Sequence, residues 1–329
     1  MNLSSTLCFL RPLICAASLA LAGLASQAQS FPNKPLRLVV PFPAGGATDS
    51  LARTIAQRLT QQLGQTVVVE NKAGAGGSIG SLDVAKALPD GYTLLMATSS
   101  THAIGPYLNA NLPYNTTTDF TPIAHVANAA NVLLVPLSLP VNSVKELIAY
   151  AKPRPGQLNY ASSGNGTIVH LTSEAFKSQA GVFITHIPYR GTALAIPDLV
   201  TGKVQLMFDS IVSGLPHVKD GKLKALAVTG TARSPLAPEV PTVAESGLPG
   251  FESNTWFGIY APKGLPADLV GRLNSEFNKA LQSAEVQDRL ARLGAEPVSN
   301  RSADQFAAMV KADSERWGRL IKERKITLE

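Results

Sequence analysis

Several stretches of the sequence gather the glycine, hydroxyl and amide residues that can hold an anion. In residues 40–49, Phe42, Ala44, Gly45, Gly46, Thr48 and Asp49 lie between an apolar run and a helical pattern. Glycines there permit a tight turn, Thr48 or Asp49 can cap the helix, and the free N–H groups at its start form an anion site without lysine or arginine. The same loop also reads as a plain strand-to-helix turn, which every parallel sheet needs. Residues 162–167 repeat the arrangement with Ser162, Ser163, Asn165, Gly166 and Thr167. Thr98, Ser99, Ser100 and Thr101 form another polar strand end, as do Tyr189, Arg190 and Gly191. Donors therefore accumulate at one end of the expected strands, where open α/β folds bind ligands. Asp209 stays open between capping a turn, holding an amine or cation of a ligand, and orienting a water.

Two further chemistries are tested by spacing. Residues 73–80 are glycine-rich, yet Ile79 occupies the sixth position of a G-x-G-x-x-G pattern counted from Gly74, and no Walker lysine is present. The stretch does contain G-x-S-x-G around Ser78, the pattern of a hydrolase nucleophile elbow. Against that reading, six residues separate Val69 from Gly76, and no histidine follows His217 to complete the usual triad. His102, His125, His170, His186 and His217 lack the spacing and flanking carboxylates of a zinc motif, so each is expected to be a hydrogen-bonded structural histidine, with no metal.

The elements that must position these loops follow from periodicity. Continuous apolar runs at Leu36–Val40, 66–69, 93–97, 158–161, 204–208 and Leu223–Val228 suit strands buried on both faces. Leu51, Ile55 and Leu59 recur every four residues, and Ile168, Leu171 and Ala175 at three and four, as one face of a helix requires. The class is α/β, built from βαβ units. Residues 267–325 read as three helices. Residues 128–140, apolar and ending in proline, and 230–250, rich in proline, read as passages between domains. The expected organisation is residues 29–130 with 236–329 as one domain and 131–235 as an inserted second, with two segments crossing the hinge.

Composition bounds the rest. The chain has 329 residues, 45% apolar and 16% charged, a globular balance at a length that favours two domains. Residues 1–28 carry Arg11, an apolar stretch of about 13 residues too short to cross a bilayer, and small residues at Ser26 and Ala28. They read as a signal peptide cleaved after Ala28, which places the mature chain in the periplasm. Both cysteines, Cys8 and Cys15, fall in that segment, so the mature chain would have no disulfide or thiolate chemistry. Lipidation of Cys15 is the lesser alternative, since Pro12, Leu13 and Ile14 precede it. The net charge is +6, but the cations are scattered, apart from a cluster in the last helical pattern. A solvated helix end explains that cluster, and nucleic acid is not an expected partner.

Taken together, the ordered motifs at 40–49, 68–77, 89–93, 158–162, 164–166, 188–191 and 241–245 resemble the Bug family, the extracytoplasmic solute receptors of tripartite tricarboxylate transporters. The resemblance spans the mature chain. It implies a two-domain periplasmic binding-protein fold, type II-like, that closes over a small organic carboxylate, with no catalysis and no cofactor. It also implies integral membrane transporter subunits as partners, and a cleft that must close and then dock favours a monomer. By motif, the loop from Phe42 to Asp49 would hold a carboxylate, the loop from Ser162 to Thr167 would face it, and Thr98 to Thr101, Tyr189 to Gly191 and Asp209 would line the cleft. Ser78 stands where the family pattern often has asparagine. A secreted serine hydrolase and a ligand-sensing partner of a signalling system remain the alternatives.

Ser78→Ala separates the first pair: it abolishes ester hydrolysis if the chain is a serine hydrolase, and changes ligand affinity at most modestly if it is a receptor.

Overall fold

The computed structural model describes residues 31–324, 326 and 327; the expected leader at 1–28 and its cleavage point lie outside the described residues. From Pro35 onward the chain forms one compact body. Its strands are β1 (Leu36–Val40), β2 (Val67–Asn71), β3 (Thr93–Thr98), β4 (Phe120–Pro136), β5 (Asn159–Ser162), β6 (Thr185–Pro188), β7 (Leu206–Ser210), β8 (Leu223–Val228), β9 (Asn254–Pro262) and β10 (Glu296–Pro297). Its helices are α1 (Ala47–Leu63), α2 (Ser78–Ala85), α3 (Gly105–Leu108), α4 (Val144–Ala151), α5 (Ile168–Ala180), α6 (Thr192–Val200), α7 (Ile211–Lys219), α8 (Ala267–Gln282), α9 (Ala284–Leu293) and α10 (Ala303–Arg324). No described helix is long and apolar enough to cross a membrane.

The strands run in the order β2-β1-β3-β9-β4-β7-β5-β6, with β8 and β10 also paired to β4. β1 pairs in parallel with β2 and β3, and β5 in parallel with β6 and β7, as βαβ units demand. Between these parallel groups lie antiparallel strands. β9 pairs with β3 and with residues 120–130 of β4. The remainder of β4 pairs with β7 and β8. One long strand thus belongs to both halves of the sheet.

The two expected passages take the following form. The apolar stretch at 128–140 is largely strand, because β4 runs unbroken from Phe120 to Pro136. The segment after β8 stays with the second half of the sheet beyond residue 236: Phe251 stacks on Phe208 and meets Phe176, and Gln179 donates to the Pro249 carbonyl. The three helices expected in the tail are α8, α9 and α10.

Packing follows the sequence periodicities. Leu51, Ile55 and Leu59 form the fully buried face of α1. The last helix closes over β4 and β9, where Phe306 meets Trp256, Tyr260 and the His125 ring, and Trp256 Nε1 donates to Asp313 at 2.9 Å. Gly258 on β9 makes room for this: a Cβ there would sit 2.1 Å from the Phe306 ring.

Overpacking a close-packed core costs about 1–3 kcal/mol. Gly258→Ala should therefore lower the unfolding free energy by that amount, read as a lower urea midpoint at unchanged slope, a loss that Phe306→Leu in the same chain partly restores.

Candidate ligand-binding site

The loop after β1 ends at Gly46, which precedes α1 with extended backbone and no side-chain cap. The first N–H groups of this 17-residue helix are therefore left to whatever lies in front of them. Phe42, Pro43, Gly46, Ala47 and Thr48 line a cavity of about 500 Å³, counted with its open mouth. α6 begins in the same way, at Gly191 with no side-chain cap, and its Thr192 and Ala193 line the same cavity. Thr98, Ser100, Asn131, Ser163, Ile168, Val169, Asp209, Ser210, Thr255 and Phe257 complete the wall. Residues from both halves of the sheet therefore surround one space. Its donors are hydroxyls, an amide and helix starts, and the described residues that line it include no lysine, arginine or histidine.

Thr98 adds a pointer toward a ligand. Its side chain is 2% exposed, and its Oγ1 has no hydrogen-bond partner in the protein. A buried hydroxyl left unpaired is costly, and this one belongs to a residue of the cavity wall.

A second cavity adjoins the first and shares Phe42, Ser100 and Ser163 with it. Glycine-rich turns line it on both sides, Gly74 to Ser78 and Ser163 to Gly166, together with Thr101, Tyr114, Tyr189 and Arg190. The turns approach closely. A Cβ on Gly76 would lie 2.8 Å from the Asn165 carbonyl, and one on Gly191 would lie 2.5 Å from Pro43. The Ile168 N–H donates to Ser100 Oγ at 3.0 Å, so the start of α5 is tied to the turn after β3.

Most of the other expected site residues support these walls without lining them. Asp49 accepts from the Gly45 N–H, Arg53 and Asn71, each at 3.0 Å, while Asn71 also donates to the Phe42 carbonyl. Burial alone would raise this carboxyl, but Arg53, Gly45 and Asn71 hold it below its ordinary value. Asp49 therefore fixes the shape of the first loop, at whose exposed crest Ala44 and Gly45 sit. Ser99 Oγ accepts from the Trp256 N–H. Thr167 caps α5 by accepting from the His170 N–H and donates to the Gly164 carbonyl. Ser162 Oγ lies 2.6 Å from His186 Nε2 and accepts from the Gly164 N–H. Ser78 starts α2 in the wall of the second cavity, and the histidine hydrogen bonds go elsewhere. Sequence reading missed Asn131, Thr192, Thr255 and Phe257, which reach the cavity from β4, the start of α6 and β9; Ser210 lies at the polar strand end it marked.

Asp209 ends β7 in the wall of the first cavity, 1% exposed. Its Oδ1 accepts from the Ser210 N–H and its Oδ2 from Ser213 Oγ, both at 2.8 Å. Burial pushes its carboxyl up to about 7, against hydrogen bonds from Ser213, Ser210 and Thr192.

The receptor family model for tripartite tricarboxylate transporters matches residues 51–326. The chain belongs to this family. Among relatives of the receptor, the UPF0065 protein in the tcbD-tcbE intergenic region of Pseudomonas sp. strain P51 is 41% identical, with 95% of this chain and 94% of that one covered. Protein BugT of Bordetella pertussis is 39% identical over 93% of this chain and 94% of its own. Among solved structures, a Rhodopseudomonas palustris protein with adipate superposes at TM-score 0.88 and 40% identity, covering 90% of this chain and 99% of that one. The malate-bound MatC of the same organism gives 0.85 and 35%, covering 88% and 100%. The likenesses also include the periplasmic binding protein BugD, at 0.87 and 38%, covering 91% and 100%. The receptor thus has the α/β periplasmic binding-protein fold.

Two imidazoles brace the glycine turn of this receptor. His170 Nδ1 accepts from the Gly166 N–H at 3.2 Å, and the His170 and His186 rings stack 4.3 Å apart at 9°. Burial lowers both from 6.5 to about 4. Between those values the unfolded chain binds more protons than the folded one, so stability present above pH 6.5 is lost as the pH falls toward 4. Denaturant unfolding at pH 7, 5.5 and 4.5 should show this decline. It should be shallower in His170→Gln, whose side-chain carbonyl still accepts from Gly166.

Proposed function

We propose that the chain is a periplasmic receptor that captures a small organic dicarboxylate by cleft closure and delivers it to the integral membrane subunits of a tripartite tricarboxylate-type transporter. The observation that carries this reading is the uncapped start of α1 opening into a cation-free cavity lined from both halves of the sheet. An anion there gains hydrogen bonds from main-chain N–H groups and favourable alignment with the helix dipole. The adjoining cavity, with Arg190 and two glycine-rich turns, suits a second carboxylate. Adipate and malate in two relatives of this fold support a diacid over a monoacid. Export follows from residues 1–28, removed after Ala28.

Closure is proposed to rotate residues 131–252 against the rest of the chain about two crossing segments. The joint runs through Asn131: its N–H donates to Thr229 Oγ1 at 2.8 Å and its Nδ2 to the Ser253 carbonyl at 3.1 Å. Asn131 also lines the cavity, so ligand and hinge share a residue. A ligand shifts such an equilibrium only through tighter binding to the closed state, which the contacts of Pro43 with Gly191 and of Gly76 with Asn165 represent.

Thermal unfolding against a panel of dicarboxylates, tricarboxylates, amino acids and aromatic acids tests this. A ligand at 100 times its Kd adds about 2.7 kcal/mol, a midpoint rise of about 5 °C. A rise confined to diacids is the expected outcome, and no rise with any acid contradicts the proposal. Thr98→Val removes a hydroxyl that has no protein partner. It should leave unliganded stability unchanged and weaken diacid binding by about 2- to 10-fold in calorimetric titration.

A further inference from the structure

Asp209 is a buried carboxyl in the very cavity that the proposed function gives to a carboxylate ligand. Two anions held in one water-poor space repel, and proteins resolve such pairs by keeping a proton between them. The usual alternative is a cation to separate them, but no lysine, arginine or histidine is among the described residues that line this cavity.

The groups around Asp209 are neutral on each packed element. Val132 is paired with it on β4, Thr192 bonds it from α6 and Ser213 from α7, Asn131 and Thr255 line the same cavity, and none of these titrates; on β5, which also pairs with β7, the Tyr160 hydroxyl is turned to Glu174. The charged groups of the neighbouring helices are engaged elsewhere. Asp198 on α6 bonds Lys203 and Tyr189, Glu174 on α5 bonds Lys177 and Tyr160, and His170 accepts from Gly166. On α7, His217 and Lys219 lie in the last turn. Arg190 belongs to the adjoining cavity.

We infer that Asp209 binds the ligand as the neutral acid, donating its carboxyl hydrogen to a carboxylate oxygen of the ligand, so that one proton is taken up from solvent with each molecule captured. The inference rests on the carboxylate-receptor reading and deepens it. The local hydrogen bonds accommodate the extra proton. With Oδ2 protonated, the Ser213 hydroxyl has a second acceptor within reach, the Ser210 carbonyl at 3.3 Å, while Oδ1 keeps the Ser210 N–H. Burial already holds the carboxyl near neutrality without a ligand, so the proton is available at little cost. An ammonium-bearing ligand would use the site differently: it would pair with the ionised carboxylate and release, or leave unchanged, the proton count.

Calorimetric titration of the wild-type chain with adipate and with malate, at pH 8 in two buffers of different ionisation enthalpy, reads the proton count directly. The expected result is uptake of about one proton per diacid bound. Affinity should fall about tenfold for each pH unit above the carboxyl's midpoint in the free protein. In Asp209→Asn the uptake and the pH dependence should both disappear. Carboxyl-carbon magnetic resonance of aspartate-labelled protein should show one signal, missing from Asp209→Asn, that titrates near neutral pH and moves upward with saturating diacid. Diacid binding without proton uptake at pH 8, or a signal titrating below pH 5, overturns the inference and leaves the receptor reading intact. Failure of the wild-type chain to bind either acid or any other diacid at millimolar concentration overturns both.

Discussion

Under the proposed reading an anion is held without a cation, by neutral donors alone, and the helix starts are the strongest of these because their first N–H groups have no partner within the helix. Gly46 and Gly191 precede α1 and α6 without offering a side-chain cap, and both helix starts open on the same cavity. Neutral donors hold an anion well only where water is excluded, so the walls must approach closely once the ligand is in place. Glycine supplies that approach. At Gly191, with φ +134°, a side chain would collide with Pro43, and at Gly76, with φ +63°, one would collide with the Asn165 carbonyl. Charge is spent on the scaffold instead: the Asp49–Arg53–Asn71 group fixes the loop that presents α1, and the ion pairs of Arg37 and Lys72 with Glu70 and Asp83 tie β1, β2 and α2 together behind it.

Because the cavity draws on both halves of the sheet, the strand common to them carries both structure and signal. β4 changes partners along its length, from β9 to β7 and β8, and Asn131 sits at the change. Thr229 Oγ1 donates to the Ser253 carbonyl, and Ser253 Oγ pairs with Thr172 on α5 at 2.5 Å. A fully buried polar network at this joint restricts it to a few well-defined arrangements, which suits rotation about a hinge better than a deformable apolar contact would.

Much of this was legible in the sequence. β1 and β8 fall where their apolar runs predict, and the α1 face formed by Leu51, Ile55 and Leu59 is buried as its spacing requires. The polar strand ends were visible because glycine and hydroxyl residues follow apolar runs directly. What stayed hidden had no local signature. β4 contains Pro122, Asn128 and Asn131, so its hydropathy looks like a broken passage even though its backbone is continuous. β9 is antiparallel and threads between two parallel groups, and Thr255 and Phe257 reach the cavity from a strand interior that no loop pattern marks. Asp49 shows the converse case: its place near an expected helix start predicts a cap or a ligand contact, while in the first turn of α1 it is turned to Arg53 one turn along the same helix and to Asn71 of β2.

If one ligand is held at once by helix starts from both halves of the sheet, amide magnetic-resonance mapping of the nitrogen-labelled chain during titration with adipate or malate reads it directly. The Gly46, Ala47 and Thr48 amides and the Thr192 and Ala193 amides should then shift together, with one common midpoint. Shifts confined to one group, or displaced to the separate cavity lined by Ala129, Gly230 and Leu236, would contradict it.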